Sequence, residues 1–200
     1  MILLPGIGDF AHDFELNGFI EAVDRHRMTA DAIAVDLHLG YYVRHRALEQ
    51  LRRDVLEPAH AAGYTSIYVV GISLGGLGAA LYAMEHTADI QGLILLAPYL
   101  GNALLANEIR TAGGLLEWKD DAMAPDDPLR RLWRWLRQCA LEHGGSSILR
   151  NIYLGYGTKD SFAPANALLA DILPAENVFT VPGGHDWKTW KRLWNLFLTR

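Results

Sequence analysis

Chemistry is most concentrated at Gly71-Ile72-Ser73-Leu74-Gly75. The run Ile67-Tyr68-Val69-Val70 before it is β-branched and aromatic, and the small-residue segment Gly76-Leu77-Gly78-Ala79-Ala80 after it has helical character. A serine at such a strand-to-helix turn is held in a strained backbone conformation with its hydroxyl projecting from the sheet edge. Gly71 and Gly75 flank it because a Cβ at either place would collide as the helix folds back across the strand. The chemistry open to such a serine is nucleophilic attack, provided a base and an orienting acid stand beside it. Two rival readings fail on detail. A phosphate-binding P-loop needs a Lys after its last glycine, where Leu77 follows Gly76, and a dinucleotide fingerprint needs a glycine where Ser73 stands. The bland reading, a glycine-rich turn with an idle serine, stays open on this stretch alone.

The stretch resembles the nucleophile elbow of the α/β-hydrolase superfamily. That resemblance implies a chain order of nucleophile, acid, base. After Ser73 the sequence supplies Asp160 directly behind the apolar run Ile152 to Tyr156, and His185 in Pro182-Gly183-Gly184-His185-Asp186-Trp187 behind Val178 to Val181. Both follow strand-like runs, so both belong to the carboxyl edge of the sheet where open α/β folds hold their ligands. His185 is the only histidine downstream of Asp160. Asp160 could instead cap a turn, and Asp186 is a neighbour of His185 along the chain that seldom reaches the buried ring nitrogen. Asp36 and His38 precede Ser73 and read as pocket wall or turn.

The resemblance further implies an oxyanion hole of two backbone N–H groups. One is that of Leu74; the other comes from Pro5-Gly6-Ile7-Gly8 after the first strand, with Ile7 the first choice and Gly8 the second. His-Gly is common at that loop in the superfamily, and the chain departs from it. It also starts almost at this strand, so the usual N-terminal antiparallel strands are missing and a minimal member is implied. Gly-Gly-His-Asp-Trp, running on to Trp190, is similar to a stretch of esterase-like members.

Positioning these groups requires a sheet. Apolar runs at Met1 to Leu4, Ala32 to Val35, Ile67 to Ile72, Leu93 to Ala97, Ile152 to Gly157 and Val178 to Val181 read as six strands, and helical stretches alternate with them. Continuous apolar strands between helices imply a mostly parallel sheet buried on both faces, an α/β class. Helices are expected over 14–27, over 44–62 with Gly63 as its cap, over 74–85, from 164 to 173 and over 187–198. The segment 101–150 breaks the rhythm. Asp126-Asp127-Pro128 starts a helix there whose apolar face is Leu129, Leu132, Trp133 and Leu136. It reads either as a lid hinged at Gly113-Gly114 and Gly144-Gly145, or as a crossover packed on the sheet.

Two hundred residues, half of them hydrophobic, suit one domain over 1–200 with 101–150 as its insertion or cap. The formal charge of −5 gives no electrostatic footprint for nucleic acid. Arg44-His45-Arg46 and Arg130-Arg131 are basic but have acids nearby, which suits solvated helix faces. The single Cys139 forms no internal disulfide and fits a reducing compartment. No secretory signal is apparent, and the apolar stretch 67–84 is split by its turn into pieces too short to span a bilayer. A cytoplasmic location is expected, with neither metal nor organic cofactor.

The function these readings imply is hydrolysis of a small or medium apolar ester through an acyl group on Ser73, in the manner of a carboxylesterase. A thioesterase or an acyltransferase would use the same three residues, and a ligand-binding homologue without turnover would use the fold alone. Phe10, Tyr41, Tyr42 and Trp118 are expected as pocket residues from their positions. A base that must be neutral to act implies activity that rises from acid towards neutral pH.

Overall fold

The computed structural model describes residues 1–44, 46–120, 126–142 and 147–199. Six strands lie where the apolar runs place them: β1 (Ile2–Leu4), β2 (Ile33–Ala34), β3 (Tyr68–Ile72), β4 (Gly92–Leu96), β5 (Ile152–Gly157) and β6 (Val178–Val181). Their order is β2-β1-β3-β4-β5-β6 and every pairing is parallel, so the sheet is more uniform than the mostly parallel one expected. In register, Leu4 stands opposite Gly71 and Gly71 opposite Leu95. All the strands therefore end at one edge.

Because side chains alternate across a strand, each apolar run feeds two cores. Leu4, Val69, Leu93 and Leu95 join one, while Leu3, Val70, Ile94 and Leu96 join the other. The second core is closed by α1 (Ala11–Leu16), α2 (Phe19–Arg25) and α11 (Trp187–Leu198). The sequence pattern predicts one helix over 14–27; the chain makes two. Gly18 sits at φ +72° between them, Phe14 and Phe19 meet edge to face at 5.4 Å, and Leu16 is exposed. Phenylalanines five apart cannot share the stripe of one straight helix, and the break brings both inside.

The first core lies beneath the helices on the other face. After the short α3 (Leu39–Val43) comes α4 (Ala47–Leu51), a π-helical turn at Arg52–Leu56 and α5 (Glu57–Ala61). Here too the expected single helix is interrupted. Pro58 has no N–H to give the carbonyl of Asp54, and its ring crowds that carbonyl, so a wider turn precedes it. Gly63, at φ +93°, ends the segment as expected. Next to these, α6 (Leu74–Glu85) runs directly from β3.

The segment after β4 holds α7 (Ala103–Thr111), α8 (Pro128–Leu141) and α9 (Ser147–Arg150). Asp127 caps α8, its Oδ1 accepting from the Leu129 N–H at 2.8 Å, and Pro128 fills the first helical position. Leu132, Trp133, Leu136 and Cys139 are buried, Leu129 partly so, and α8 packs against α6. The indole N–H of Trp133 donates to the Leu100 carbonyl at 2.8 Å. Arg130 lies over the Trp118 ring and bridges Glu108 and Asp120. Gly113 and Gly114 take positive φ at the end of α7, whereas Gly144 and Gly145 lie outside the described residues. The last helices are α10 (Ala163–Ala170), which packs on α7, and α11. Among the described residues no helix is long and apolar enough to cross a membrane.

Candidate active site

Ser73 takes φ +51°, ψ −112° between β3 and α6, a conformation an L-residue keeps only when its surroundings over-determine it. Those surroundings are backbone. The Ser73 N–H donates to Leu96 at 3.1 Å, and its carbonyl accepts from Leu77 at 3.1 Å and Tyr99 at 2.9 Å. A Cβ on Gly71 would strike the Gly75 carbonyl, and one on Gly75 would strike the carbonyl oxygen of Leu4. At Gly76 it would lie 2.7 Å from Pro98 Cβ. The elbow therefore fits only glycine at its flanks.

Ser73 Oγ lies 2.8 Å from His185 Nε2, and His185 Nδ1 lies 2.7 Å from Asp160 Oδ2. A carboxylate only accepts, so Nδ1 carries the proton and Nε2 is left to accept from the serine hydroxyl. The other Asp160 oxygen accepts from the Phe162 N–H at 2.8 Å, and the Asp160 side chain is wholly buried. Gly157 lets the loops behind β5 and β6 touch. The Thr158 and Lys159 N–H groups donate to the carbonyls of Val181 and Gly183 at 2.9 Å each, and a Cβ on Gly157 would strike the Gly183 carbonyl. The imidazole is clasped by the edges of Phe162 and Trp190, with centroids 4.8 and 5.0 Å away. Asp186 is elsewhere: it caps α11, accepting from the Thr189 N–H at 2.8 Å, which holds its carboxyl below the usual range.

Of the two N–H groups expected to bind an oxyanion, one directly follows Ser73 in the chain and the other lies in the loop after β1. That of Leu74 is the first of α6 and has no intrahelical acceptor. The loop carrying Ile7 and Gly8 passes beside the serine, since a Cβ on Gly6 would sit 3.6 Å from Ser73 Cβ. Ile7 is 62% exposed and Gly8 takes φ +82°.

The expected pocket residues do not gather. Trp118 is buried in the first core, its N–H donated to Glu108 at 2.9 Å. Tyr42 packs on α6, its hydroxyl pressed against Gly78. Phe10 and Tyr41 both lie against the His38 ring. A position behind a strand sets the edge a residue occupies but not the direction it faces. His38 caps α3, and Asp36 accepts from the Ala11 N–H at 2.6 Å, so both are turn residues. The cavity beside the triad, about 540 Å³, is instead lined by Tyr99, Leu104, Ala106, Arg110, Phe162 and Ala165. Sequence reasoning also misses Asp9. Its Oδ1 accepts from the Trp187 N–H at 3.2 Å, and burial pushes its carboxyl up. Its place in the loop after β1 is the one signal.

A family model described as serine aminopeptidase S33 matches residues 40–136. No curated protein matches the chain. Among solved structures, a ferulic acid esterase superimposes with a TM-score of 0.65 at 16% identity, covering 99% of this chain and 82% of that one. Est1E from Butyrivibrio proteoclasticus gives 0.63 at 18% identity, covering 99% and 84%. The S-formylglutathione hydrolase FrmB from Staphylococcus aureus gives 0.64 at 18%, covering 99% and 78%. With its parallel sheet and strained serine turn, the chain has the α/β-hydrolase fold of these structures.

Proposed function

We propose that the chain is a carboxylesterase-like serine hydrolase that cleaves a small or medium apolar ester through an acyl-enzyme on Ser73. The observation that carries this is the unbroken relay from Ser73 Oγ through His185 to Asp160, at 2.8 and 2.7 Å, on a strained elbow. Ser73 Oγ attacks the ester carbonyl carbon while Nε2 of His185 takes its proton, and Asp160 stabilises the imidazolium. The N–H groups of Leu74 and Ile7 receive the oxyanion, each such donor contributing about 2.7–4 kcal/mol to the transition state. Collapse of the tetrahedral intermediate breaks the ester bond, and Nε2 returns the proton to the departing alcohol oxygen. Water, deprotonated by the same nitrogen, then releases the acid and restores the serine.

The mostly apolar lining of the adjoining cavity supports an apolar group on the substrate, and the esterases with this fold support the ester bond. An S-formylglutathione hydrolase also has this fold, which keeps thioesters within the reading. The test is intact mass after a fluorophosphonate probe, together with turnover of p-nitrophenyl esters and matched thioesters of graded chain length. One adduct, absent from Ser73→Ala, is expected, with turnover that peaks at short to medium chains. A folded protein that takes no adduct would move the ligand-binding reading to the front.

A further inference from the structure

The loop after β1 must hold a backbone N–H against a developing charge, yet little of it is fixed by packing. Ile7 is exposed, and a Cβ on Gly8 would meet nothing within 4 Å. Across the turn itself the Asp9 N–H reaches the Gly6 carbonyl at a long 3.3 Å. Further on, side chains take over: Asp13 accepts from the Phe10 N–H at 2.8 Å and Asp36 from that of Ala11 at 2.6 Å. Those anchors tie the loop to α1 and to the chain after β2. Neither ties it to the histidine.

Asp9 does. Its carboxylate folds back over Gly6, where a Cβ would lie 2.7 Å from Oδ2, and its Oδ1 accepts from Trp187 Nε1 across 178 residues of sequence. Trp187 is two residues past His185 and opens α11. Its ring is held edge-on by Phe14, Phe19 and Trp190, and Trp190 in turn touches His185. The indole is thus a fixed post standing on the same framework as the imidazole.

We propose that Asp9 is a positioning residue, which sets the oxyanion loop against the His185 loop through its bond to Trp187. This rests on the serine hydrolase reading. The contribution belongs to the transition state: an N–H that drifts by 1 Å from the oxyanion forfeits about 10²-fold in rate and leaves ground-state binding largely alone.

The experiment is a double-mutant cycle of Asp9→Ala and Trp187→Phe, with Asp9→Asn as the conservative variant. Trp187→Phe keeps an aromatic ring among Phe14, Phe19 and Trp190 and removes the N–H. Each single variant is expected to lower kcat and the rate of fluorophosphonate labelling by about tenfold with KM unchanged. The double variant should be no worse than either single one. Asp9→Asn retains an acceptor oxygen and should recover to within about threefold of the parent. Thermal melting of each variant establishes that it is folded, and the labelling rate reads the site without a known substrate. Additive losses, an unaffected Trp187→Phe, or an Asp9→Asn as slow as Asp9→Ala would each overturn the proposal. Failure of the hydrolase reading looks different, because the parent itself would then take no label.

Discussion

The elbow and the loop after β1 meet beside Ser73, and they are built in opposite ways. At the elbow, backbone lies on backbone: Gly71 on Gly75, Gly75 on Leu4 and Pro5, with the Ser73 carbonyl held twice. In the loop, Gly8 faces open space, and carboxylates of Asp9, Asp13 and Asp36 do the holding. Steric exclusion fixes the nucleophile, and hydrogen bonds from distant parts of the chain fix its counterpart. The first device tolerates no added atom, while the second tolerates many changes that keep its acceptors.

The largest effect should come from taking the hydroxyl out of the elbow. Ser73→Ala is expected to lower turnover by about 10⁶-fold, read from p-nitrophenyl ester hydrolysis with active-site titration to exclude contaminating activity. Asp160→Asn should follow at about 10⁴-fold, because an amide can donate to Nδ1 and so turn the imidazole to the wrong tautomer. Its melting temperature separates this from a folding defect. Gly75→Ala tests the steric half of the contrast. Its methyl would lie 2.6 Å from the Pro5 carbonyl oxygen and closer still to that of Leu4, so a loss of about 3 kcal/mol or more in urea unfolding is expected. The smallest effect belongs to the other side. Gly8→Ala meets no neighbour and bears only its positive φ, about 1 kcal/mol in the same measurement. Equal losses at the two glycines would dissolve the distinction.

That difference also decides what the amino-acid sequence discloses by itself. The strands are legible because a sheet covered on both faces needs unbroken apolar runs, and the elbow because its glycines answer to local backbone geometry. Asp160 and His185 can be picked from the order that the superfamily resemblance implies. The break at Gly18 and the π turn before Pro58 are not legible, since a periodic pattern shows which residues are apolar and not how the backbone kinks to bury them. Trp118 and Tyr42 mislead for a related reason: each follows the chain towards the site edge and then turns into the core. The bond from Asp9 to Trp187 joins residues from opposite ends of the chain, and no local pattern encodes such a meeting.

Tyr42, useless as a pocket wall, has a consequence at the alkaline end of the pH scale. Its hydroxyl is buried and has no hydrogen-bond partner among the described residues, and burial pushes its ionisation far above that of a free phenol. Tyr82, buried and bonded to Asp89, is displaced the same way. The folded chain therefore keeps two phenolic protons that the unfolded chain releases near pH 10. Stability from this source is complete below that pH and drains away as pH rises past it. Ultraviolet titration should show these phenolates only as the fold opens, so alkaline unfolding would develop its own colour.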